Sequence, residues 1–513
     1  MAIVTSFLAR DFNTLARRAL RQAKLCDVVE IRLDHIGHPG FDVLQAFFKE
    51  CPKPVIVTVH GEEAHGRFTG SIDERLSILD DAAKAGARFV DVDYQLALDL
   101  GDVEPPCHRI VSRHTLEGTP EDLESWDEEV RAVLDEGDAI KLVPHARTTE
   151  DGLRVLRHLR KARGGLIAFC SGEAGTFTRI LAPIFGSPFT YAAAADVPGE
   201  DSLEPTAPGQ LRLNELLAAM PPGGISHETA VLGVVGNPIG ASASPFVHGM
   251  ALKHAHMDAV YVPFEPSDLG EFLDLADDPV FRGLSVTAPF KRAAHSRSRE
   301  LSAAAKASGS VNTLVRAPDG SWSGHDTDQS GVREALRAAL GHHIKGPRVG
   351  GFEDQRALVL GTGGAARAVL AALTDLGLRR AVAGRNESAA QDLAREFQAE
   401  PLAWDAIPKV DYDVLLHCTP VGSEGRDDDM PPIPVDWIRE GTLVFDAVYR
   451  PIKTRLLQAA GRRGCTCVPG AEWFVRQATE QFKLFTQLEP NEGLMRKALE
   501  NVLTGNAPAG IGG

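Results

Sequence analysis

One lysine in this chain has the setting of a reactive amine. Lys141 lies in the short apolar run Ala-Ile-Lys-Leu-Val, directly after the charged turn 135–138. Burying an ammonium group is costly because it loses its hydration. Either the charged head reaches the strand end and stays in water, or the amine is kept neutral to attack a ketone and form a Schiff base. The residues around Lys141 decide between these two interpretations.

Other polar groups lie late in, or just after, the neighbouring apolar runs, and together they would complete a site. They are Glu30, Arg32, His60, Asp91, Asp93, His114 and Arg179. Each alone could be a loop anchor or an ion pair between strands. As a set they supply an imidazole, carboxylates and guanidinium groups, and a cation such as Arg179 would lower the pKa of the lysine. The set favours a Schiff-base site.

The elements that must position these groups alternate strictly along the first 190 residues. Apolar runs predict strands at 3–7, 28–34, 54–60, 89–94, 109–114, 139–144, 166–171 and 189–193. Amphipathic segments between them predict helices that include 12–25, 73–85, 120–134 and 149–162. Eight strands with crossover helices predict a parallel (β/α)8 barrel, whose strand ends meet at one mouth. An open doubly wound sheet is the alternative.

Residues 1 to about 220 resemble type I 3-dehydroquinate dehydratase, a Schiff-base dehydratase. The matching motifs are Glu30-Ile-Arg32, Ser112-Arg-His114, Ile140-Lys141, Gly175-Thr-Phe-Thr-Arg179 with Phe185-Gly-Ser187, and Ala207-Pro-Gly-Gln210. The resemblance implies that Lys141 forms an imine with the C3 ketone of 3-dehydroquinate. His114 would remove the C2 proton and later protonate the departing C1 hydroxyl. Arg179 would hold the carboxylate, and ring hydroxyls would be held by Glu30, Arg32 and Gln210.

The sequence departs from this family after the third strand. The family usually has an arginine there, and four residues later a glutamate that orients the catalytic histidine; this chain has His60 and Ala64. Glu62 or Glu63 would replace the glutamate if the loop shifts, and Arg67 would replace the arginine. We expect His60 to be a weakened substrate contact rather than an extra catalyst, because positioning groups outnumber proton-transfer groups in a site.

The second half opens after residues 220–228, which break every periodicity and predict a linker. A new strand is predicted at 230–236, and a second break at 341–355 precedes a strand at 356–361. That strand, a glycine turn and a helix at 365–376 predict a dinucleotide site at the helix start. The residues predicted to approach the pyrophosphate are Gly361, Gly363, Gly364 and Ala365.

The predicted strand at 380–383 ends in Gly384, Arg385 and Asn386. An acid near this spacing would bind a ribose 2′-hydroxyl, whereas arginine suits a 2′-phosphate. The sequence therefore favours NADP over NAD, with Arg385 and Asn386 at the adenosine end.

Clusters of polar residues precede this cofactor region. They are Ser242 and Ser244, Thr287 and Lys291, Asn312, and Asp328. Hydroxyls, a lysine, an amide and a carboxylate suit a polyhydroxylated carboxylic acid. Any one of the serines or acids could instead cap a helix, but helix capping does not account for the whole set.

Residues 230 to about 505 resemble shikimate dehydrogenase. The motifs are Ser242-x-Ser-Pro, Val286-Thr-x-Pro-Phe-Lys291, Val311-Asn-Thr, Thr327-Asp328, Gly361-x-Gly-Gly-Ala, Arg385, Thr419-Pro-Val-Gly422, Asp446-Ala-Val-Tyr449 and Phe474-Val-Arg-Gln477. Four positions depart from the family: Ala241, Asp326, Gly384 and Ser423. None of them removes the central pair, Lys291 and Asp328.

This second resemblance implies specific roles. Lys291 and Asp328 would pass a proton to the carbonyl oxygen during reduction. Ser242 and Ser244 would hold the carboxylate, and Thr419 would contact the cofactor. Hydroxyls would be held by Thr287, Asn312, Tyr449, Gln477 and Gln481. Because Gln477 follows the cofactor region, we expect the carboxyl terminus to return to the substrate lobe.

The two halves together resemble the fused dehydroquinate dehydratase–shikimate dehydrogenases. The product of the first reaction, 3-dehydroshikimate, is the ketone that the second reduces to shikimate with NADPH. We expect a barrel at 1–220, a substrate lobe at 229–345, an NADP domain at 346–470 and returning helices at 471–513. The alternatives are a quinate dehydrogenase in the second half and a ligand-sensing regulator without activity.

The length and composition of the chain limit the classes of molecule that it is expected to bind. The 513 residues are too many for one core, and the net charge of −16 argues against nucleic acid. No run of about 18 apolar residues predicts a membrane span, and the amino terminus lacks the layout of a signal peptide. Seven scattered cysteines without a Cys-x-x-Cys pair predict neither disulfides nor a metal site. We therefore expect a cytoplasmic enzyme that acts on small molecules and needs no metal.

Overall fold

The structure is a computed structural model that describes residues 1–197, 205–240, 242–343, 352–425 and 430–506. Its first part contains eight parallel strands: β1 Ala2–Phe7, β2 Val28–Arg32, β3 Val55–Thr58, β4 Phe89–Asp93, β5 His108–His114, β6 Ala139–Val143, β7 Leu166–Ala168 and β8 Phe189–Ala193. The helices of this part are α1 Phe12–Gln22, α2 Phe41–Glu50, α3 Ile72–Ala85, α4 Ala97–Leu100, α5 Leu123–Arg131, α6 Thr149–Lys161, α7 Thr176–Phe185 and α8 Leu213–Ala219.

The strands of this part are ordered as a barrel. Each strand from β1 to β6 pairs in parallel with the next one along the chain, and β8 pairs with β1. A doubly wound sheet would instead reverse its order at a switch point, so the predicted barrel is confirmed. The predicted strands at 28–34, 54–60 and 166–171 run two to three residues too far, because the chain leaves the ladder at the mouth. His60 therefore lies past the end of β3.

The next part contains a mixed sheet with helices around it. Its strands are β9 Ala230–Val235, β10 Ala259–Phe264, β11 Phe281–Val286, β12 Glu300–Leu301, β13 Thr313–Arg316 and β14 Trp322–His325. Its helices are α9 Ser244–His254, α10 Leu269–Leu275, α11 Lys291–Arg297, α12 Ala303–Ser308 and α13 Thr327–His343. The strand order is β10-β9-β11-β13-β14-β12, with β13 antiparallel to both of its neighbours.

A third sheet follows, and all of its strands are parallel. Its strands are β15 Arg356–Leu360, β16 Arg379–Ala383, β17 Glu400–Leu402, β18 Val414–His417, β19 Leu443–Asp446 and β20 Thr466–Val468, with helices α14 Gly364–Asp375, α15 Glu387–Glu396 and α16 Arg455–Arg462. The order β17-β16-β15-β18-β19-β20 reverses between β15 and β18. This is the doubly wound order whose switch point binds dinucleotides, as the glycine turn predicted.

The chain ends with two helices that pack on the mixed sheet. They are α17 Gly470–Thr486 and α18 Glu492–Leu503. Phe474, Val475 and Phe482 of α17 share a buried cluster with Leu232 of β9 and Leu252 of α9. The last helices thus return to the substrate lobe. The expected boundary at 345/346 lies outside the described residues, as does residue 513.

The barrel and the substrate lobe share one apolar core, which runs from Ile3 to Trp322. At the seam the rings of Phe177 and Phe264 meet edge to face, with centroids 5.2 Å apart. Arg160 of α6 also forms an ion pair with Asp278, at 2.9 Å from Nε to Oδ2. The two parts are therefore packed together rather than joined only by a linker. Among the helices of the described chain, none has both the length and the apolar character that a membrane span requires.

Arg109 holds the amino-terminal end of the barrel together. Its guanidinium group is 1% exposed and donates to Asp138, Asp135 and the carbonyl oxygens of Ala97 and Gly101. Removing one partner of a buried ion pair leaves the other charge without compensation.

We expect Arg109→Leu to lower the free energy of unfolding by about 3–5 kcal/mol, because Asp138 would keep a buried charge. Urea denaturation followed by circular dichroism measures this change. The matched control is Lys84→Ala, which breaks an exposed pair with Asp80 and should cost less than about 1 kcal/mol. Equal losses from both substitutions would contradict the anchoring role of Arg109.

Candidate active sites

The mouth of the barrel contains a cavity of about 40 Å³. Its lining includes all seven residues that the sequence analysis assigned to the dehydratase site: Glu30, Arg32, His60, His114, Lys141, Arg179 and Gln210. They come from β2, β5, β6, α7 and the loops after β3 and β8. The predicted convergence on one mouth is therefore present in the structure.

Four side chains that line this cavity or lie next to it belong to one layer of the barrel interior. Glu30, Asp91, Lys141 and Tyr191 lie on β2, β4, β6 and β8, the even-numbered strands. Ile56 of β3 is in register with both Glu30 and Phe89, so Asp91 stands two residues further along its strand. The same stagger relates Asp91 to Lys141. Alternate strands supply the four side chains of a barrel layer, which explains why these groups meet.

Lys141 is 5% exposed and has two close partners in this layer. Its Nζ lies 2.7 Å from Asp91 Oδ2 and 4.5 Å from the centroid of the Tyr191 ring. A buried ammonium is retained only with a paired carboxylate, and the aromatic face adds a cation–π contact. The lysine head does not snorkel to water.

His60 lies between Arg75 and Asp91. An Arg75 side-chain nitrogen lies 3.4 Å from His60 Nδ1, and because arginine only donates hydrogen bonds, Nδ1 is the accepting nitrogen. The proton is then on Nε2, which lies 3.6 Å from Asp91 Oδ1. Burial, together with the nearby His114 and cations, holds the pKa of His60 well below its usual value. His60 is thus neutral and faces the carboxylate that binds Lys141.

His114 has a different neighbour from the expected glutamate. Glu63 Oε1 instead accepts hydrogen bonds from Arg75 at 2.8 Å and from the Gly61 amide at 3.2 Å. The His60 ring packs edge to face on His114, with centroids 4.9 Å apart. Burial, with Lys141 and Arg32 as further causes, holds the pKa of His114 well below its usual value.

The remaining predicted contacts line the pocket in distinct ways. Thr58 Oγ1 donates to Glu30 at 2.8 Å, and Ser6 also donates to this carboxylate. Burial opposes ionisation of Glu30, but Lys141 and Arg32 outweigh it and lower its pKa. The Arg179 guanidinium lies over the Phe169 ring at 4.5 Å, and burial lowers its pKa to about 10.

Arg32 and Gln210 are held by hydrogen-bond partners that lie close to them in the sequence. Arg32 donates to both carboxylate oxygens of Asp34, at 2.7 and 3.1 Å. Gln210 Oε1 accepts from the Thr206 amide and hydroxyl. Arg67, the candidate to replace the missing arginine, lines an outer cavity of about 950 Å³ between the mouth and the substrate lobe.

Three site residues were missing from the sequence-based assignment of roles. Asp91 was noted as a strand-end acid without a role, and Tyr191 and His65 were not noted. Tyr191 Oη is buried and has no hydrogen-bond partner within the described residues. His65 lines the pocket with a left-handed backbone, φ 58°. Extending the even-strand layer from Lys141 across the predicted strands would have found Asp91 and Tyr191.

A second cavity, of about 300 Å³, lies between the mixed sheet and the parallel sheet. Its lining contains all nine residues assigned to the dehydrogenase site: Ser242, Ser244, Thr287, Lys291, Asn312, Asp328, Tyr449, Gln477 and Gln481. They come from both lobes and from α17. The return of the last helices is what brings Gln477 and Gln481 to the cleft.

Lys291 and Asp328 form a close pair, with Nζ 2.5 Å from Oδ2. Burial alone would lower the pKa of Lys291, but the Asp328 carboxylate outweighs it and raises that pKa. Lys291 is therefore a protonated donor at neutral pH. Burial and the neighbouring Asp328 also raise the pKa of Asp326. The Trp473 indole donates to the Asp328 carbonyl oxygen at 3.1 Å and fixes α17 against this pair.

Gln481 is fully engaged by the protein. Its amide nitrogen donates to the Asn312 carbonyl oxygen and to Thr313 Oγ1, both at 3.0 Å, and its oxygen accepts from Ser285 at 2.9 Å. These three contacts place the side chain as a support for Asn312 in the floor of the cavity.

The switch point of the parallel sheet carries a third cavity, of about 550 Å³. Gly361, Gly363, Arg385, Asn386 and Thr419 line it, and Gly364 and Ala365 begin α14 beside it. Trp404, which the sequence analysis did not mention, also lines this cavity.

The backbone at this switch point suits a dinucleotide. Gly361 has φ +119°, and a Cβ there would meet the Cys418 carbonyl oxygen at 2.9 Å. A Cβ at Gly364 would lie 3.3 Å from Lys291 Cδ, so the start of α14 lies next to Lys291. The first turn of α14 has backbone amide groups without intrahelical partners, which are available to a phosphate. Within the described residues, no cluster of three or more His, Cys, Asp or Glu side chains is arranged to hold a metal ion.

Fold and sites together define a two-centre enzyme: a barrel with a buried reactive lysine, and a two-lobed dehydrogenase with a dinucleotide sheet. The family profile for type I 3-dehydroquinase matches residues 6–221, and the profile for the shikimate dehydrogenase substrate binding domain matches residues 234–314.

One similar protein covers most of the chain, and others cover its second half. The chain is 32% identical to the chloroplastic bifunctional 3-dehydroquinate dehydratase/shikimate dehydrogenase of Arabidopsis thaliana, over 90% of this chain and 78% of that protein. It is 34% identical to the NADP-dependent shikimate dehydrogenase of Maridesulfovibrio salexigens, over 52% of this chain and 96% of that protein. A Thermus thermophilus shikimate 5-dehydrogenase, solved with NADP(H) and shikimate, is 32% identical, with a TM-score of 0.47, over 53% of this chain and all of that one.

The chain belongs to the family of bifunctional 3-dehydroquinate dehydratase/shikimate dehydrogenases. The resemblance of each half to its own enzyme family is confirmed.

The depressed pKa of His114 predicts the pH dependence of the dehydratase. His114 must be neutral to accept a proton, and burial shifts its protonation to lower pH. We expect kcat/KM for 3-dehydroquinate to stay level as pH falls through about 6.5, the ordinary histidine value, and to drop only at lower pH. Steady-state rates across the pH range measure this limb. An acid limb at or above pH 6.5 would contradict the burial argument.

Proposed function

We propose that the barrel dehydrates 3-dehydroquinate to 3-dehydroshikimate and that the second half reduces this ketone to shikimate with NADPH. The observation that carries the proposal is that both reactive pairs are formed: Lys141 with Asp91 in the barrel, and Lys291 with Asp328 in the cleft. Family membership supports both activities. Each pair places a lysine at hydrogen-bond distance from a carboxylate.

In the barrel, Lys141 must lose a proton before it attacks. Asp91 lies at hydrogen-bond distance and accepts it, which leaves a neutral amine and a carboxylic acid. The amine adds to the C3 ketone, and loss of water gives the iminium. His114 then takes the C2 proton while the iminium draws in the electron pair. The protonated His114 returns its proton to the departing C1 hydroxyl as water, and hydrolysis of the imine frees the product.

Each polar group around Lys141 binds a different part of the substrate. Arg179 is cationic and faces the cavity, so it binds the carboxylate. Glu30, Arg32 and Gln210 bind ring hydroxyls. His60 contacts Asp91 and His114 rather than reaching out as an arginine would, so its part in holding substrate is the weaker contact that the sequence suggested.

In the cleft, Ser242 and Ser244 hold the carboxylate of 3-dehydroshikimate. Thr287, Asn312, Tyr449 and Gln477 hold its hydroxyls, and Gln481 fixes Asn312. When bound, NADPH supplies the hydride. Lys291 donates its proton to the carbonyl oxygen, and Asp328 keeps that lysine charged and aimed.

The cofactor residues suit NADP. The glycine turn and the start of α14 would receive the pyrophosphate, with Gly361, Gly363, Gly364 and Ala365 in contact. Arg385 is exposed beside Gly384, where its fork would bind the 2′-phosphate. Asn386 and Thr419 complete the lining.

The division of labour along the chain follows from these sites. We propose the units 1–220, 229–345, 346–470 and 471–513, the last serving the substrate lobe. We also place the enzyme in the cytoplasm. All seven cysteines are free thiols, which suits a reducing compartment.

The two alternatives are not favoured. A regulator without activity would have no need of two buried lysine–aspartate pairs, each of which carries a desolvation cost. A quinate dehydrogenase that uses NAD would have no use for Arg385 at the adenosine end. Comparing rates with shikimate and quinate, each with NADP and NAD, separates the second alternative from the proposed activity.

We expect Lys141→Ala to abolish dehydration while leaving shikimate oxidation nearly intact, because the two sites use separate residues. Borohydride reduction with 3-dehydroquinate, followed by peptide mapping, should place the label on Lys141. The control Lys84→Ala should be labelled like the wild type. Loss of both activities, or a label on another lysine, would contradict the assignment.

We expect Arg385→Asp to weaken NADP binding about 10- to 100-fold, the loss of one or more charge-assisted hydrogen bonds, with little change in KM for shikimate. Calorimetric titration with NADP measures the Kd directly. Arg395→Asp changes an exposed charge on α15 and should leave the Kd unchanged. An equal rise in KM for NADP and shikimate would remove Arg385 from the cofactor site.

A further inference from the structure

The residues proposed to hold the shikimate carboxylate follow a loop that has hydrogen bonds on two sides. The Asn237 amide donates to the Ala288 carbonyl oxygen at 3.1 Å, and the other bonds go to one neighbouring segment. Residues 236–239 hydrogen-bond to residues 264–268, which we call the bracing segment. The bonds run from the Gly236 amide to the Phe264 carbonyl oxygen (3.2 Å), from Asn237 Nδ2 to the Pro266 carbonyl oxygen (3.1 Å) and from the Ile239 amide to Glu265 Oε2 (2.9 Å). The Ser242 amide in turn donates to the Ile239 carbonyl oxygen at 2.9 Å. The position of Ser242 thus depends on the bracing segment.

The bracing segment is held by the barrel. The Glu265 amide donates to Thr149 Oγ1 at 3.2 Å. Glu150 Oε1 accepts three hydrogen bonds: from the Ser267 amide (2.8 Å), the Ser267 hydroxyl (3.0 Å) and the Asp268 amide (3.4 Å). Thr149 and Glu150 belong to the first turn of α6, the helix that follows the strand of Lys141. Helix α6 therefore follows the strand that carries Lys141 of the barrel site and also supports the loop that precedes Ser242 of the dehydrogenase site.

The acceptor side of these contacts is buried. Glu150 is 5% exposed, and the Phe177 and Phe264 rings of the same seam are buried as well. Ser267 and Asp268 are themselves exposed, so the cost of losing Glu150 is the loss of three hydrogen bonds to a charged acceptor. The carboxylate is itself stabilised by its place in the first turn of α6, where the helix dipole favours negative charge. Without Glu150 the bracing segment loses the acceptor that fixes it to α6.

We propose that Thr149 and Glu150 of the barrel are positioning residues of the dehydrogenase site, which they serve by fixing the loop that carries Ser242. This inference rests on the proposed function of that site. It assigns the barrel a part in the second reaction in addition to the first. The dehydrogenase half of this chain depends on its partner domain for the geometry of its carboxylate pocket.

The test is Glu150→Ala in the full-length chain. We expect KM for shikimate to rise about tenfold, the equilibrium change for the loss of one charge-assisted hydrogen bond. KM for NADP and the dehydratase kcat/KM should stay within about twofold, since neither site touches the bracing segment, and they also report that both halves are folded. Glu150→Gln keeps an acceptor oxygen and should restore KM for shikimate to near the wild-type value.

Three controls make the result decisive. Arg160→Ala removes the ion pair with Asp278 at the same seam and should leave KM for shikimate unchanged. Ser267→Ala removes the hydroxyl group of the substrate lobe that donates to Glu150. It should also raise KM for shikimate, by a smaller factor than Glu150→Ala. Ser242→Ala tests the proposed site itself: if it has no effect on KM for shikimate, the site assignment fails independently of the brace.

The proposal is overturned by any of three results: an unchanged KM for shikimate in Glu150→Ala, an equal loss in all three kinetic constants, or an equal effect of Arg160→Ala. The last two would mean that the seam matters only for stability.

Discussion

The buried ion pair of Lys141 and Asp91 is the constraint around which the barrel is arranged. An ammonium group can stay inside a barrel only with a carboxylate close by, and 2.7 Å between Nζ and Oδ2 meets that demand. The stagger of the strands brings β4, β6 and β8 side chains to one level, so the partner acid and the Tyr191 ring come from elements far apart in sequence. The same charge lowers the pKa of Glu30 and, with burial, that of His114. The charge on Lys141 thus favours an ionised Glu30 and a neutral His114.

The loop after β3 shows how a changed residue is absorbed. Where the family has an arginine and a glutamate, this chain has His60 and Ala64. The histidine is clamped by Arg75 and turned toward Asp91, and Glu63 is occupied by Arg75 instead of orienting His114. The lysine–aspartate pair remains intact, and the change falls on the groups that surround the substrate.

Much of this architecture was readable from the chain. Alternating apolar and amphipathic runs predicted the barrel, and a glycine turn between a strand and a helix predicted the dinucleotide sheet. Both predictions rest on local periodicity, which a sequence displays directly. The seven barrel residues and nine cleft residues assigned by motif all line their cavities. Tyr191 and His65 were missed because neither belongs to a motif, and the ends of the strands were placed too late because the apolar runs continue past the last ladder bond.

The sequence by itself determined which chemistry is available: an amine, an imidazole, a second lysine with its acid, and an arginine beside a glycine turn. Only the tertiary structure decided how these groups are paired and supported. It placed Asp91 on Lys141, Arg75 on His60, and the barrel's Glu150 against Ser267 of the bracing segment, 117 positions further along the chain. The physical reason is that residue types and short-range spacing are properties of the chain, whereas register, strand stagger and domain packing arise only when distant segments share one core.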